Sequence, residues 1–171
     1  YSYLWSNTQS GANATGLSAT NYSVTITDSK NCTVAKSVTI GQPASAVDGT
    51  VTKTDVACFG GSTGTATAAG SGGTSGYSYL WSNTQSGANA TGLSATNYSV
   101  TITDSKNCTV AKSVTIGQPV SAVDGTVTKT DVACFGGSTG TASAAGSGGT
   151  SGYSYLWSNT QSGRKAIGLA E

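Results

Sequence analysis

The residues able to do chemistry are few, and they recur at a fixed spacing. Cys32 and Cys58 return as Cys108 and Cys134, and Asp28, Asp48 and Asp55 return as Asp104, Asp124 and Asp131. There is no histidine, so a Ser-His-Asp triad and a histidine-based metal centre are both excluded. Serine and threonine are abundant, but none has a base partner in the pattern. A paired-carboxylate site needs two acids at a set separation, and here the acids stand singly. Asp28 and Asp104 read as turn residues. No enzyme activity is expected.

What remains is cysteine pairing and cation binding. Two cysteines per copy in a small Ser-rich and Thr-rich module point to an oxidising compartment and a structural disulfide. Zinc lacks four ligands, with no close cysteine pair and no histidine. Calcium at a module junction could draw on Asp104 and Asn107, with Asp124 or Asp131 from the following copy. One or two carboxylates are thin for an ion that takes roughly six to eight oxygens, so a capped turn with a solvated carboxylate is the simpler reading. No cofactor is expected.

The spacing itself is the strongest signal. Tyr1 to Ser6 (YSYLWS) returns at Tyr77 to Ser82 and at Tyr153 to Ser158, a period of 76 residues. Residues 1–76 and 77–152 differ only at Ala44 against Val120 and at Thr67 against Ser143. An enzyme has no use for such copies, whereas a tandem array gains length or another binding face from each. Each copy is neutral, with Lys30, Lys36 and Lys53 matching Asp28, Asp48 and Asp55. Nucleic acid wants clustered Lys and Arg, and the only basic pair is Arg164-Lys165. No apolar run approaches a membrane span, so neither nucleic-acid binding nor membrane insertion is expected.

These residues must be positioned by strands. Tyr98 to Thr103 alternates, with Tyr98, Val100 and Ile102 on one face. Val110, Val114 and Ile116 share a second face, and Tyr77, Tyr79 and Trp81 a third. Asp104-Ser105-Lys106-Asn107 forms a compact turn, since Asp bonds back to its own backbone and Asn tolerates left-handed geometry. The flanking strands are therefore a hairpin. Weaker strands are expected at Val47 to Lys53, Thr63 to Ala69 and Asn89 to Leu93, with no amphipathic helix. The expected fold is all-β: tandem immunoglobulin-like (PKD-like) β-sandwich modules on the 76-residue repeat. Trp81 would fill the space between the sheets, and Tyr79, Tyr98, Val100, Ile102, Val114 and Ile116 would complete a thin core.

Proline occurs once per copy, at Pro43 and Pro119, just after the last strong strand. It cannot donate to a ladder and stiffens a short link, so these positions are expected to be module boundaries. The frame is then a C-terminal part of a module at 1–43, a complete module at 44–119, and an N-terminal part of the next at 120–171. Modules beginning at Tyr1 and Tyr77 are the alternative frame. Within 44–119 the available disulfide is Cys58 with Cys108, closing a loop of about 50 residues worth about 3–4 kcal/mol. In a regular sandwich the two loops concerned sit at opposite ends, so a bridge between modules remains the rival pairing.

The ordered residues Cys58-Phe59-Gly60-Gly61-Ser62-Thr63-Gly64, Gly72-Gly73, Tyr77 to Ser82, Gly92-Leu93-Ser94-Ala95, Tyr98 to Asp104, Asn107-Cys108-Thr109, Val114-Thr115-Ile116 and Gln118-Pro119 resemble the SprB repeat. That family forms modules of giant surface adhesins in gliding Bacteroidetes. The resemblance spans one module end to end. It departs where the family commonly has Asn-Gly before the second cysteine, for here Lys106-Asn107 precedes Cys108. The resemblance implies an exported protein at the cell surface, displayed as long filaments and serving gliding motility. The repeats would be non-enzymatic stalk modules, and their partners neighbouring repeats, surface polysaccharide or other adhesin chains. A carbohydrate-binding module is the first rival, with Tyr77 and Tyr79 as stacking residues; their face is shared with Trp81, which favours core packing. A repetitive ice-binding scaffold is the second, resting on Thr25-Ile26-Thr27, Val51-Thr52 and Thr65-Ala66-Thr67. Asn89, Asn97 and Asn107 match the glycosylation acceptor pattern, as chance allows in so Asn-rich and Thr-rich a chain. The tail Arg164 to Glu171 leaves the repeat and carries no functional assignment.

Overall fold

A computed structural model describes residues 1–170. Among them are twelve β-strands and no helix, so no helix is long and apolar enough to cross a membrane. The strands are β1 (Ser2–Trp5), β2 (Asn21–Thr27), β3 (Thr33–Thr39), β4 (Asp48–Thr54), β5 (Gly64–Ser71), β6 (Ser78–Trp81), β7 (Asn89–Leu93), β8 (Asn97–Thr103), β9 (Thr109–Thr115), β10 (Asp124–Thr130), β11 (Gly140–Ser147) and β12 (Lys165–Leu169). They form four three-stranded antiparallel sheets, ordered β1-β2-β3, β4-β5-β7, β6-β8-β9 and β10-β11-β12. The chain divides into two compact units, Tyr1–Ala46 and Val47–Glu171.

Tyr1–Ala46 is one sheet. β2 and β3 are a hairpin in unbroken register from Asn21↔Thr39 to Thr27↔Thr33, and β1 joins the other edge of β2. The expected turn forms here and again at Asp104 to Asn107, with Asn31 and Asn107 each at φ 63°. Asn accepts that left-handed geometry more readily than most residues.

In Val47–Glu171, β4-β5-β7 and β6-β8-β9 share one apolar cluster. Ala66, Ala68, Ala90 and Leu93 come from the first sheet, and Trp81, Val100 and Ile102 from the second; Val56 and Ile116 close it. Tyr79, Tyr98 and Val114 are partly buried and lean on the cluster. Small residues let the layers approach. A Cβ at Gly49 of β4 would lie 2.5 Å from Ile102 Cδ1, and one at Gly64 of β5 would lie 2.7 Å from Ile116 Cγ2. Any side chain there would push the sheets apart.

The third sheet of the chain's C-terminal part, β10-β11-β12, repeats β4-β5-β7, including the bulge next to its first β11 residue. The divergent tail still forms a strand. Ala166, Gly168 and Leu169 hold the identities of Ala90, Gly92 and Leu93, and Ala166 is as fully buried as Ala90. Arg164, Lys165 and Ile167 are exposed, so their replacement leaves the inward face intact.

Candidate functional site: the two ends of the paired sheets

The chemistry-bearing residues gather at the two ends of the β4–β9 region. At one end lies Asp104, which opens the β8–β9 turn. Only 3 % of it is exposed. Its Oδ1 accepts the amides of Lys106 at 2.8 Å and Cys108 at 2.9 Å, and its Oδ2 accepts the Thr74 amide at 2.9 Å. The turn is thus tied to the β5–β6 loop, with Ser105 adding bonds to the Thr74 carbonyl. The Thr74 amide, ahead of those of Cys108 and Lys106, holds the Asp104 carboxyl below its ordinary value of 3.8. This corrects the expectation of a solvated carboxylate. A carboxylate filled by three protein donors has little left to offer a cation. Among the described residues no three His, Cys, Asp or Glu side chains are grouped as a metal would need.

At the other end, Asp55 Oδ1 accepts the Gly117 amide and the Lys53 ammonium, each at 2.7 Å. The Lys53 bond, then the Gly117 amide, lowers the Asp55 carboxyl. The Val56 amide donates back to the Gly117 carbonyl at 2.9 Å, and the Gly60 amide donates to Gln118 Oε1 at 2.8 Å. The loop bearing Cys58 is therefore held by the residues just before Pro119. Along the flank, Lys112 meets Asp48 at 2.5 Å and lowers the Asp48 carboxyl.

The expected Cys58–Cys108 disulfide is absent: Cys32, Cys58, Cys108 and Cys134 are all exposed free thiols. The reason is topological. The loop bearing Cys58 is bonded through the Gly60 amide to Gln118, past the end of β9, while Cys108 sits in the turn before β9 begins. The seven residues of β9 separate them by about 23 Å, at about 3.3 Å per residue. Bridged cysteines need Cα atoms within about 7 Å. The pairing is the one available within 44–119, and the opposite-end placement of its two loops, the objection a regular sandwich raises, is what the strand order shows.

Trp81, Tyr77 and Tyr79 face inward or are occupied, while Tyr1, Phe59 and Phe135 are exposed. Trp81 is 2 % exposed and donates its Nε1–H to the Gly87 carbonyl at 3.0 Å. The Tyr79 hydroxyl accepts the Gly70 amide at 3.0 Å, and the Tyr77 hydroxyl donates to the Gly72 carbonyl at 2.5 Å. Both rings are part-buried, with Tyr77 filling the space over Gly70. Pro43 is exposed and Pro119 half-buried, each outside a strand. Sequence reasoning missed Val56, Ala66, Ala68, Ala90 and Leu93 as core residues. For the alanines no signal was available, because a methyl group hardly raises an apolar period.

The family model described as the SprB repeat matches residues 50–86 and again residues 126–162. The first match runs from within β4 through β5 and β6; the second covers the same positions 76 residues later. No curated protein matches the chain.

Proposed function

Because residues 50–86 and 126–162 belong to the SprB repeat family, we propose that this chain is a stretch of stalk whose modules act as spacers. The repeats are structural, non-catalytic modules of extracellular cell-surface adhesins of the gliding-motility type. The observation that carries the spacer reading is the 76-residue recurrence of one matched segment, whose strands β4-β5 recur as β10-β11 in the same register. Repetition of a folded unit adds reach without adding a new site.

Our reading places one module at 44–119, flanked by 1–43 and 120–171. Its support is the set of bonds from Asp55, Val56 and Gly60 to Gly117 and Gln118, which link the start of that span to its end. We read the module as an immunoglobulin-like sandwich, since two three-stranded sheets contribute to one cluster. The partners are neighbouring repeats, with surface polysaccharide or other adhesin chains as further contacts. Against a glycan platform stand the part-buried rings of Tyr77 and Tyr79 and their committed hydroxyls. The test is a glycan panel probed with the full 171-residue chain. A spacer gives no binding above background; saturable binding at micromolar affinity overturns this reading in favour of a carbohydrate-binding module.

A further inference from the structure

A strand at the edge of a sheet offers its outward amides and carbonyls to any other strand, and charge, proline or a bulge normally blunts that edge. β7 is an edge of β4-β5-β7, and its residues Asn89–Leu93 (NATGL) include neither a charge nor a proline. The Ala68 amide donates to the Ala88 carbonyl at 2.8 Å, and Ala90 is paired with Ala66. By the alternation of an antiparallel ladder, Ala88 and Ala90 turn their backbone groups toward β5, while Asn89 and Thr91 turn theirs away. Gly92, at φ 67°, then bends the strand. Thr91 is thus the last outward residue before the bend, and Gln85 covers it. Gln85 Nε2 donates to the Thr91 carbonyl at 2.8 Å, and Gln85 Oε1 accepts the Thr91 amide at 2.9 Å. A side-chain amide carries donor and acceptor side by side, as a peptide group does, so this fork stands in for a neighbouring strand. The Gln85 backbone is anchored elsewhere: its carbonyl accepts the Trp81 amide at 2.9 Å and its amide donates to Asn83 Oδ1 at 3.3 Å. Ser86 and Gly87 close the outer edge of β6, through the Leu80↔Ser86 bridge and the Gly87 amide on the Tyr79 carbonyl at 3.1 Å. One short connection covers the edges of both sheets at this corner.

The fork recurs in each copy. Gln9 makes it with Thr15, at 2.8 and 3.0 Å, and Gln161 makes it with Ile167, at 2.8 and 2.9 Å. Ile167 stands where Thr91 does, yet both bonds keep their lengths, so the fork recognises backbone and not side chain. We propose that Gln85 is an edge guard, holding β7 shut against the β7 of a second copy. The occupant follows from the sequence of the edge. An uncharged strand laid antiparallel on its own copy is self-complementary, with each Thr91 able to exchange both bonds with the other. Near-identical repeats make that pairing a standing hazard, because tandem copies keep matching strands at high effective concentration and misassembly between like modules is a characteristic failure of repeat proteins. The guard adds no binding site; it keeps each module's strands for that module. This inference does not rest on the spacer reading, and glycan binding would leave it untouched.

Sedimentation velocity of the full 171-residue chain across a dilution series tests it, comparing the wild type with Gln85→Ala and with the double variant Gln85→Ala/Thr91→Lys. Gln85→Ala uncovers the edge and should add a concentration-dependent dimer that the wild type lacks. The double variant loses the same fork, but a lysine at the exposed Thr91 position sets like charges against each other across the paired edges. It should return to the wild-type distribution. Circular dichroism follows the fold of β4–β9 in both variants. Sedimentation of Gln85→Ala identical to the wild type overturns the proposal. So does a double variant that associates as strongly as Gln85→Ala, which would assign the dimer to a loosened fold. A Gln85→Ala chain that no longer folds also overturns it, and would make the fork a structural brace.

Discussion

Val47 and Val123 precede the same strand sequence, and that strand pairs in the same register with its hairpin partner. Val47 is 9 % exposed and Val123 is 70 % exposed. Phe59 and Phe135 differ likewise, at 48 % and 99 %. The chain thus runs a controlled comparison between β4–β9 and the sheets at 1–46 and 124–169. Hairpin register, turn geometry and the left-handed residues are the same in all copies, so they are local properties of the sequence. Burial differs at Val47 and Phe59, whereas Ala166, Ala142 and Val24 stay buried in their own sheets, so only part of the inward face depends on the second sheet of the β4–β9 region. Part of the stability of β4–β9 should then reside in contacts that the other copies lack.

The largest test of that division is tryptophan truncation. Trp81→Ala removes a buried ring and should cost about 3–5 kcal/mol. Trp5→Ala and Trp157→Ala remove half-buried rings and should leave the main unfolding transition in place. Urea unfolding of the three variants, followed by circular dichroism, makes the comparison. Equal losses at all three sites would show that the ring stabilises its own hairpin and that the opposing sheet contributes little.

Acid should separate the copies next. Asp104, Asp48 and Asp55 all have lowered carboxyls in the folded state. A lowered folded value means the stabilisation is fully present above the ordinary 3.8 and is lost as pH falls through the folded value. The melting temperature of β4–β9 should therefore fall below about pH 4. Asp104→Asn should lower the melting temperature at neutral pH and flatten this acid limb. Asp28→Asn, in the copy without a Thr74-type donor, should leave the neutral-pH melting temperature of β4–β9 unchanged. An unchanged acid limb in Asp104→Asn would assign the pH dependence to Asp48 and Asp55.

Part of this was legible in the residues and part was not. Alternation at Tyr98 to Thr103 marks β8, and Asp104 to Asn107 marks its turn, because both depend on neighbours close in sequence. The burial of Asp104 depends on Thr74, 30 residues earlier, and no local pattern encodes that. Ala66, Ala68 and Ala90 enter the core through the close approach that Gly49 and Gly64 allow. The Cys58–Cys108 bridge meets in the sequence the objection that its loops lie at opposite ends, and the free thiols bear that objection out. The candidate site suffered most, since both ends of the paired sheets are assembled from segments far apart in the chain.

A smaller effect is expected at the second of these ends. Gln118→Ala removes the acceptor of the Gly60 amide, a net loss of about 0.5–1.5 kcal/mol. Amide exchange at Gly60 should rise toward that of Gly136, whose loop has no such partner among the described residues. Unchanged protection at Gly60 would mean that the loop is held by the Asp55 and Val56 bonds to Gly117.

The smallest expected effect should be the same in every copy. Thr8, Thr84 and Thr160 lie at φ 69°, 68° and 67°. A β-branched residue is strained there, at about 1–2 kcal/mol. The turn geometry forces it: the Trp81 amide donates to the Gln85 carbonyl and the Thr84 amide to the Trp81 carbonyl, each at 2.9 Å, with the same pairs around Trp5 and Trp157. Thr84→Gly relieves the strain but adds freedom to the unfolded chain, about 0.5–1 kcal/mol, for a net gain of about 0.5–1 kcal/mol. Since these bonds lie within one turn, Thr8→Gly and Thr160→Gly should slow amide exchange at Trp5 and Trp157 by the same factor that Thr84→Gly slows it at Trp81. Slowing at Trp81 alone would show that the left-handed threonine is imposed by the opposing sheet, and the division between local and packing terms would have to be redrawn at this turn.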